Sequence, residues 1–261
     1  MKQKEIFVPE LLPPSEDGVF KTLLTHPDAK PVLRDVISSI LRVSIAEIEV
    51  RNTELPISAI DKKRERFDVN CTTDDGRQLD VEMQANPMTG DTAATGHANL
   101  KKRAIYSLCD LHASQKGRGL AYGEMMQSYH ITFCDFTVFP ERKDFIGRFG
   151  FRDEEGVELS DAVGIVFVEL SKLGGVVKKP VEEMTGAEMW SVFFKHADKP
   201  EFRDILSMMI SAKEEIKMAS DLLASISKDE IERAHYHSRK MYRMDMEHNF
   251  AVLRKEIAMG R

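Results

Sequence analysis

Apolar residues recur along this chain at two spacings, and each predicts a different kind of element. After Ser15-Glu16-Asp17, residues Val19, Phe20, Leu23 and Leu24 form one stripe at helical spacing, which puts Asp17 in a first helical turn. A second helix starts near Pro31, carries Val32, Val36, Ile37, Ile40 and Leu41 inward, and ends before Ser44. Ile45, Ile48 and Val50 alternate as a short strand, and Pro56 to Lys63 is a connection that runs into the charged segment Lys62 to Arg66. From Arg66 to Gln84 two alternating runs flank Asp74-Asp75-Gly76, the signal of a hairpin. The Asn-Pro and Thr-Gly pairs between Asn86 and Asn99 predict an exposed, mobile loop.

Further on, a helix over Lys101 to Gln115 is expected to turn Ile105, Leu108, Cys109 and Leu111 inward. Strands are expected over Tyr129 to Phe139, Phe145 to Phe151 and Val163 to Leu170, the last almost continuously apolar and so suited to a buried position. Beyond Thr185 the pattern is helical to the end. The resulting expectation is an α/β core over residues 1–184, with a mixed sheet flanked by helices, followed by a helical C-terminal region over 185–261.

The hairpin carries the candidate chemistry. A three-residue loop of this kind places Gly76 in the left-handed region and pairs Thr73 with Arg77, so Asn70 faces Asp80 and Asp68 faces Glu82. Alternation then puts Asp68, Asn70, Asp80, Glu82 and Gln84 on one face, and Val69, Leu79, Val81 and Met83 on the other. Opposed carboxylates repel unless a cation lies between them. With oxygen ligands and no Cys or His among the residues of this face, that cation would be Mg²⁺ or Mn²⁺. Held by Asp68 and Glu82, it would activate water oriented by Gln84 for phosphodiester hydrolysis. The same pattern also fits a hairpin whose acidic face is merely solvated.

Composition narrows the setting. The 261 residues carry a formal net charge of −6, with 42% hydrophobic and 31% charged residues, so the chain is neither a basic coat for nucleic acid nor a disordered polymer. The absence of an apolar leader and of a long apolar run predicts a cytoplasmic protein with no membrane contact. Cys71, Cys109 and Cys134 show no C-x-x-C spacing and are expected to be reduced, buried packing residues. His235 and His237 point apart on a helix and do not make a metal pair. Arg233, Arg239, Lys240 and Arg243, interleaved with Tyr236 and Tyr242, form either a phosphate-contacting face or an ordinary charged helix. Gly174-Gly175 lacks the surroundings of a nucleotide-binding loop.

Phe67-Asp68-Val69, Asp75-Gly76 and Asp80-Val81-Glu82-Met83-Gln84 resemble the core of the PD-(D/E)XK nuclease superfamily in its E-x-Q form. The closer resemblance is to the recombination-promoting nuclease and transposase family. It extends to Asp17-Gly18-Val19-Phe20-Lys21, Arg103-Ala104-Ile105-Tyr106, Gln115 through Gly119 to Tyr122, Glu169-Leu170-Ser171-Lys172, and Ile226 to Glu230. The resemblance implies a restriction-endonuclease-like fold and a metal-dependent DNA endonuclease linked to recombination or transposition. Its motif positions are Asp68, Glu82 and Gln84, with Asp17 or Glu16 as a further acid near the metal. Gln84 stands where the superfamily usually has Lys, so Lys21 or Arg103 is expected to supply the missing cation, and Tyr106 shares a helical face with Arg103. A homodimer acting on DNA would cut both strands. The competing expectation is a catalytically weak DNA- or protein-binding scaffold on the same fold.

Overall fold

The computed structural model describes residues 11–51, 69–86, 93–115 and 121–258. Helix α1 (Asp17–Thr25) and helix α2 (Lys30–Leu41) form where the apolar stripes predict them, and both bury those stripes, with Leu41 at the end of α2 only partly covered. Strand β1 (Ile48–Val50) pairs with β2 (Val69–Thr73), which turns through Gly76 (φ 88°) into β3 (Gln78–Gln84). The hairpin closes as expected: Thr73 N–H donates to Arg77 O at 3.1 Å, and Asn70 stands opposite Asp80. The inferred position of Asp68 and the 56–63 connection lie outside the described residues.

A long crossover through helix α3 (Ala93–Ala113) leads to β4 (Ser128–Cys134), which runs parallel to β3 as such a crossover allows. Strands β5 (Ile146–Arg152) and β6 (Glu158–Glu169) complete a six-stranded mixed sheet of order β1-β2-β3-β4-β6-β5, with β6 parallel to β4. Helices α4 (Gly186–His196), α5 (Arg203–Ala212), α6 (Glu214–Lys228) and α7 (Glu230–Ala258) follow. Among the described residues no helix is long and apolar enough to cross a membrane.

Leu79, Val81 and Met83 of β3 and Ile131 and Phe133 of β4 share one sheet face, packed under α1, α2, α4 and α6. Residues on either side of position 184 share that core, because Phe20, Phe133, Trp190 and Phe194 form one aromatic cluster. The opposite face is covered by α3 through a smaller cluster of Leu100, Ala104, Cys134, Val138, Phe139 and Phe167.

Four expectations need correction. Strand β4 ends at Cys134, where the backbone bends, and not at Phe139. Helix α3 begins at Ala93, inside the stretch expected to be loop as far as Asn99. Its buried stripe is Leu100, Ala104 and Leu108, whereas Ile105 and Cys109 are exposed. That stripe is narrow because α3 covers a largely polar sheet face, which blurs the helical rhythm. Strand β6 starts at Glu158, ahead of its apolar run, because its first residues pair with β5 in a hairpin that stands in solvent and needs no hydrophobic signal.

Candidate active site

Register determines which polar groups meet beneath α3. In the parallel β3–β4 pair Asp80 stands beside His130, Glu82 beside Thr132 and Gln84 beside Cys134. Their side chains therefore share the face turned away from the large core. This layer is not a solvated surface: Asp80 is 5% exposed, Glu82 3% and His130 0%. Buried charge at this density survives only if it is paired and hydrogen-bonded.

His130 supplies much of that pairing. Its Nδ1 lies 2.9 Å from Asp80 Oδ2, and its Nε2 lies 2.9 Å from Thr132 Oγ1 and 3.4 Å from Glu82 Oε1. Thr132 in turn donates to Glu82 Oε1 at 3.2 Å. The other Glu82 oxygen, Oε2, accepts from Arg103 on α3 at 2.6 Å and from the Gln84 amide at 3.3 Å. Burial alone would push both ionisable groups toward neutrality. For Glu82 that push is outweighed by the hydrogen bonds and charges of His130 and Arg103, which hold its carboxyl down at about 2. For His130 it is outweighed by Asp80 and Glu82, which raise the imidazole to about 9. Two carboxylates and two cations thus balance inside the fold.

Asp17, in the first turn of α1, accepts a hydrogen bond from Ala85 N–H at 3.0 Å, directly beyond Gln84 at the end of β3. Burial raises its pKa to about 6, against the opposing pull of the Ala85 bond and Arg243. The C-terminal helix reaches the same place: Arg243 pairs with Glu16, and the Arg239 guanidinium lies against Gly18. Lys21 sits one turn after Asp17 on α1. Tyr106, one turn beyond Arg103, is 60% exposed.

The structure therefore joins Glu82, Gln84 and Arg103 directly and sets Asp17 at the same strand end. Asp68 lies outside the described residues. His130 and Thr132 are the groups that sequence reasoning missed, and they correct the expectation that no histidine stands near. Their signal was present in Tyr129-His130-Ile131-Thr132-Phe133, where polar residues alternate with apolar ones in a strand that reads as buried. Other motif positions are structural clamps. The Gln115 amide donates to Met126 O at 2.9 Å and to Ser128 Oγ at 3.0 Å. Glu169 accepts from Phe139 N–H at 2.9 Å and also from Val138 N–H, and it pairs with Lys172.

As a metal centre the donor chemistry is mixed. Glu82 is anionic, and Gln84 and Asp17 add hard oxygen donors near it, which suits Mg²⁺ or Mn²⁺. Yet four donors already engage the Glu82 carboxylate, and among the described residues no three His, Cys, Asp or Glu side chains converge on one metal position. The set fits a divalent ion only with Asp68 as a further ligand and with Glu82 shared with Arg103.

No curated protein and no solved structure matches the chain. A family model, PD-(D/E)XK nuclease family transposase, matches residues 14–252, which spans every element described above except the last turns of α7. Its restriction-endonuclease-like α/β fold agrees with the mixed sheet and flanking helices, and the chain belongs to the PD-(D/E)XK nuclease family of transposases.

Proposed function

We propose that the protein is a metal-dependent DNA endonuclease that hydrolyses phosphodiester bonds in recombination or transposition. The observation that carries this reading is the buried, ionised Glu82 on β3, held by Arg103, Gln84, Thr132 and His130 in a chain of this family. Asp68 and Glu82 hold Mg²⁺ or Mn²⁺ in this proposal, with Asp17 as the additional acid. When bound, the ion lowers the pKa of a coordinated water and neutralises phosphate charge. Gln84 orients the attacking water through its amide. Asp17, with its pKa near 6, exchanges a proton close to neutral pH, the range a general acid or base requires. Arg103, 35% exposed on α3, moves between Glu82 and the phosphate and supplies the cation that the E-x-Q motif lacks. Lys21 and Tyr106 contact the DNA backbone on either side.

A second reading has its own support. Because Glu82 is fully engaged by Arg103, Gln84, Thr132 and His130, the fold is self-sufficient without an ion, as a DNA- or protein-binding scaffold would be. Nicking of supercoiled plasmid with and without Mg²⁺ or Mn²⁺ separates the two. Metal-dependent cutting that is abolished in both Asp68→Ala and Glu82→Ala supports the nuclease. Retardation of DNA without metal and without cutting supports the scaffold, and cutting that survives both substitutions refutes the assignment of the site.

A further inference from the structure

At the edge of the sheet, the β5–β6 hairpin projects as an arm. Every residue from Phe151 to Ser160 is exposed, yet the arm is ordered: its turn is closed by Asp153, which accepts from Val157 N–H at 2.8 Å, and Arg152 pairs with Glu158 at 3.0 Å. An arm of this kind ordinarily carries polar residues. This one exposes Phe151 at 56%, Val157 at 61% and Leu159 at 81%. Five acids, Asp153, Glu154, Glu155, Glu158 and Asp161, surround those apolar side chains with Arg152 as the only base, so the arm repels DNA.

The base of the same arm lines an apolar groove of about 330 Å³ between β5–β6 and α3. Its walls include Ile105, which is 54% exposed, Cys109, Phe149 and Phe151. Lys101 lines it, its Nζ 4.2 Å from the centre of the Phe139 ring, and Arg142 stands over the ring of Phe149, another wall residue, at 5.7 Å. An acidic, apolar-tipped arm and an apolar groove flanked by these two bases thus occur on one chain and adjoin each other.

We propose that this surface is the contact between two copies of the chain, the arm of each lying in the groove of the other. The charges match, acidic tip against Lys101 and Arg142. The geometry also closes: because the groove is built at the root of the arm, two arms laid side by side in opposite directions put each tip on the other root under one two-fold axis. Such a contact also covers the edge of β5, which ends the sheet.

The test uses the full chain and no cleavage assay, so it stands or falls separately from the nuclease reading. Sedimentation should give about twice the 29.7 kDa chain mass at micromolar concentration. Leu159→Asp on the arm and Ile105→Asp in the groove should each weaken association by about tenfold or more while leaving the circular dichroism unchanged. Mixing the two variants restores one intact arm–groove contact, so the mixture should associate more tightly than either variant alone. In the wild type, alkylation of the exposed Cys109 should be slowed severalfold in the dimer and recover on dilution. A wild type that stays monomeric, a dimer that survives both substitutions, a mixture that gains nothing, or a Cys109 that is unprotected in the dimer would each overturn the proposal.

Discussion

The two faces of β3 and β4 are both buried, and they are stabilised by opposite means. On one face Leu79, Val81, Met83, Ile131 and Phe133 pack against α1 and α4, and the stabilisation is non-directional burial at about 25 cal/mol per Å². On the other, one residue along each strand, Asp80, Glu82, His130 and Thr132 hold each other through ion pairs and hydrogen bonds with defined partners. The first face tolerates repacking if volume is kept. The second is strict, because removing one member leaves another charge buried without compensation. Well-packed apolar residues of similar volume often stabilise such a face as well as an ion-paired layer does.

That contrast can be broken most sharply at His130. Substituting Ala there removes the imidazole that pairs with Asp80 and one of the four donors on Glu82, and should cost about 3–5 kcal/mol in urea unfolding, with loss of DNA cleavage. Phe133→Ala on the opposite face should cost about 3–4 kcal/mol as a cavity, yet leave cleavage per folded molecule unchanged. Equal loss of cleavage in both variants would remove the distinction between the faces.

The polar face also imposes a pH dependence that the apolar face does not have. His130 is raised from 6.5 to about 9, so its contribution is complete below about pH 6.5 and is lost as pH climbs through 9. Glu82 is lowered from 4.5 to about 2, so its contribution is complete above about pH 4.5 and fades as pH falls toward 2. Unfolding free energy should therefore drop by on the order of 2 kcal/mol between pH 7 and pH 10. Chemical denaturation across that range should show the drop in the wild type and much less of it in His130→Gln.

Asp17 behaves in the reverse sense to Glu82. Its pKa is raised from 3.8 to about 6, so stability is greatest below the lower value and declines as pH rises through the upper one. Asp17→Asn, which keeps an acceptor for Ala85 N–H, should be more stable than wild type by about 1–2 kcal/mol at pH 8 while cutting DNA more slowly, a trade expected of a functional acid. The smallest effect is expected on the exposed hairpin: Glu158→Gln, which breaks the pair with Arg152, should move unfolding by less than about 0.5 kcal/mol.

The hairpin was legible because one glycine fixed its turn, and the turn fixed a register that placed Asp80, Glu82 and Gln84 on a common face. Helices α1 and α2 were legible because each buries an apolar stripe. What lay on that common face was not, since α3 arrives from a distant segment and its inward residues include Arg103, which no apolar pattern announces. His130 belongs to the same class: its partners are 50 residues away on a parallel neighbour, and parallel register is set by the crossover rather than by a turn. The acidic face consequently read as open, its charge met either by a metal or by solvent, whereas His130 and Arg103 compensate it from within. The exposed Cys109 was misread for the related reason that α3 has only a narrow buried stripe.

The central claim is that Glu82, compensated in the fold by Arg103, is also a metal ligand. Calorimetric titration of Mn²⁺ into the wild type, Asp68→Ala, Glu82→Ala and Arg103→Ala tests it most directly. The prediction is a single millimolar-range or tighter site in the wild type that disappears in the first two variants and tightens when Arg103 no longer competes for the Glu82 carboxylate. Mn²⁺ binding that is unchanged in Glu82→Ala would contradict it.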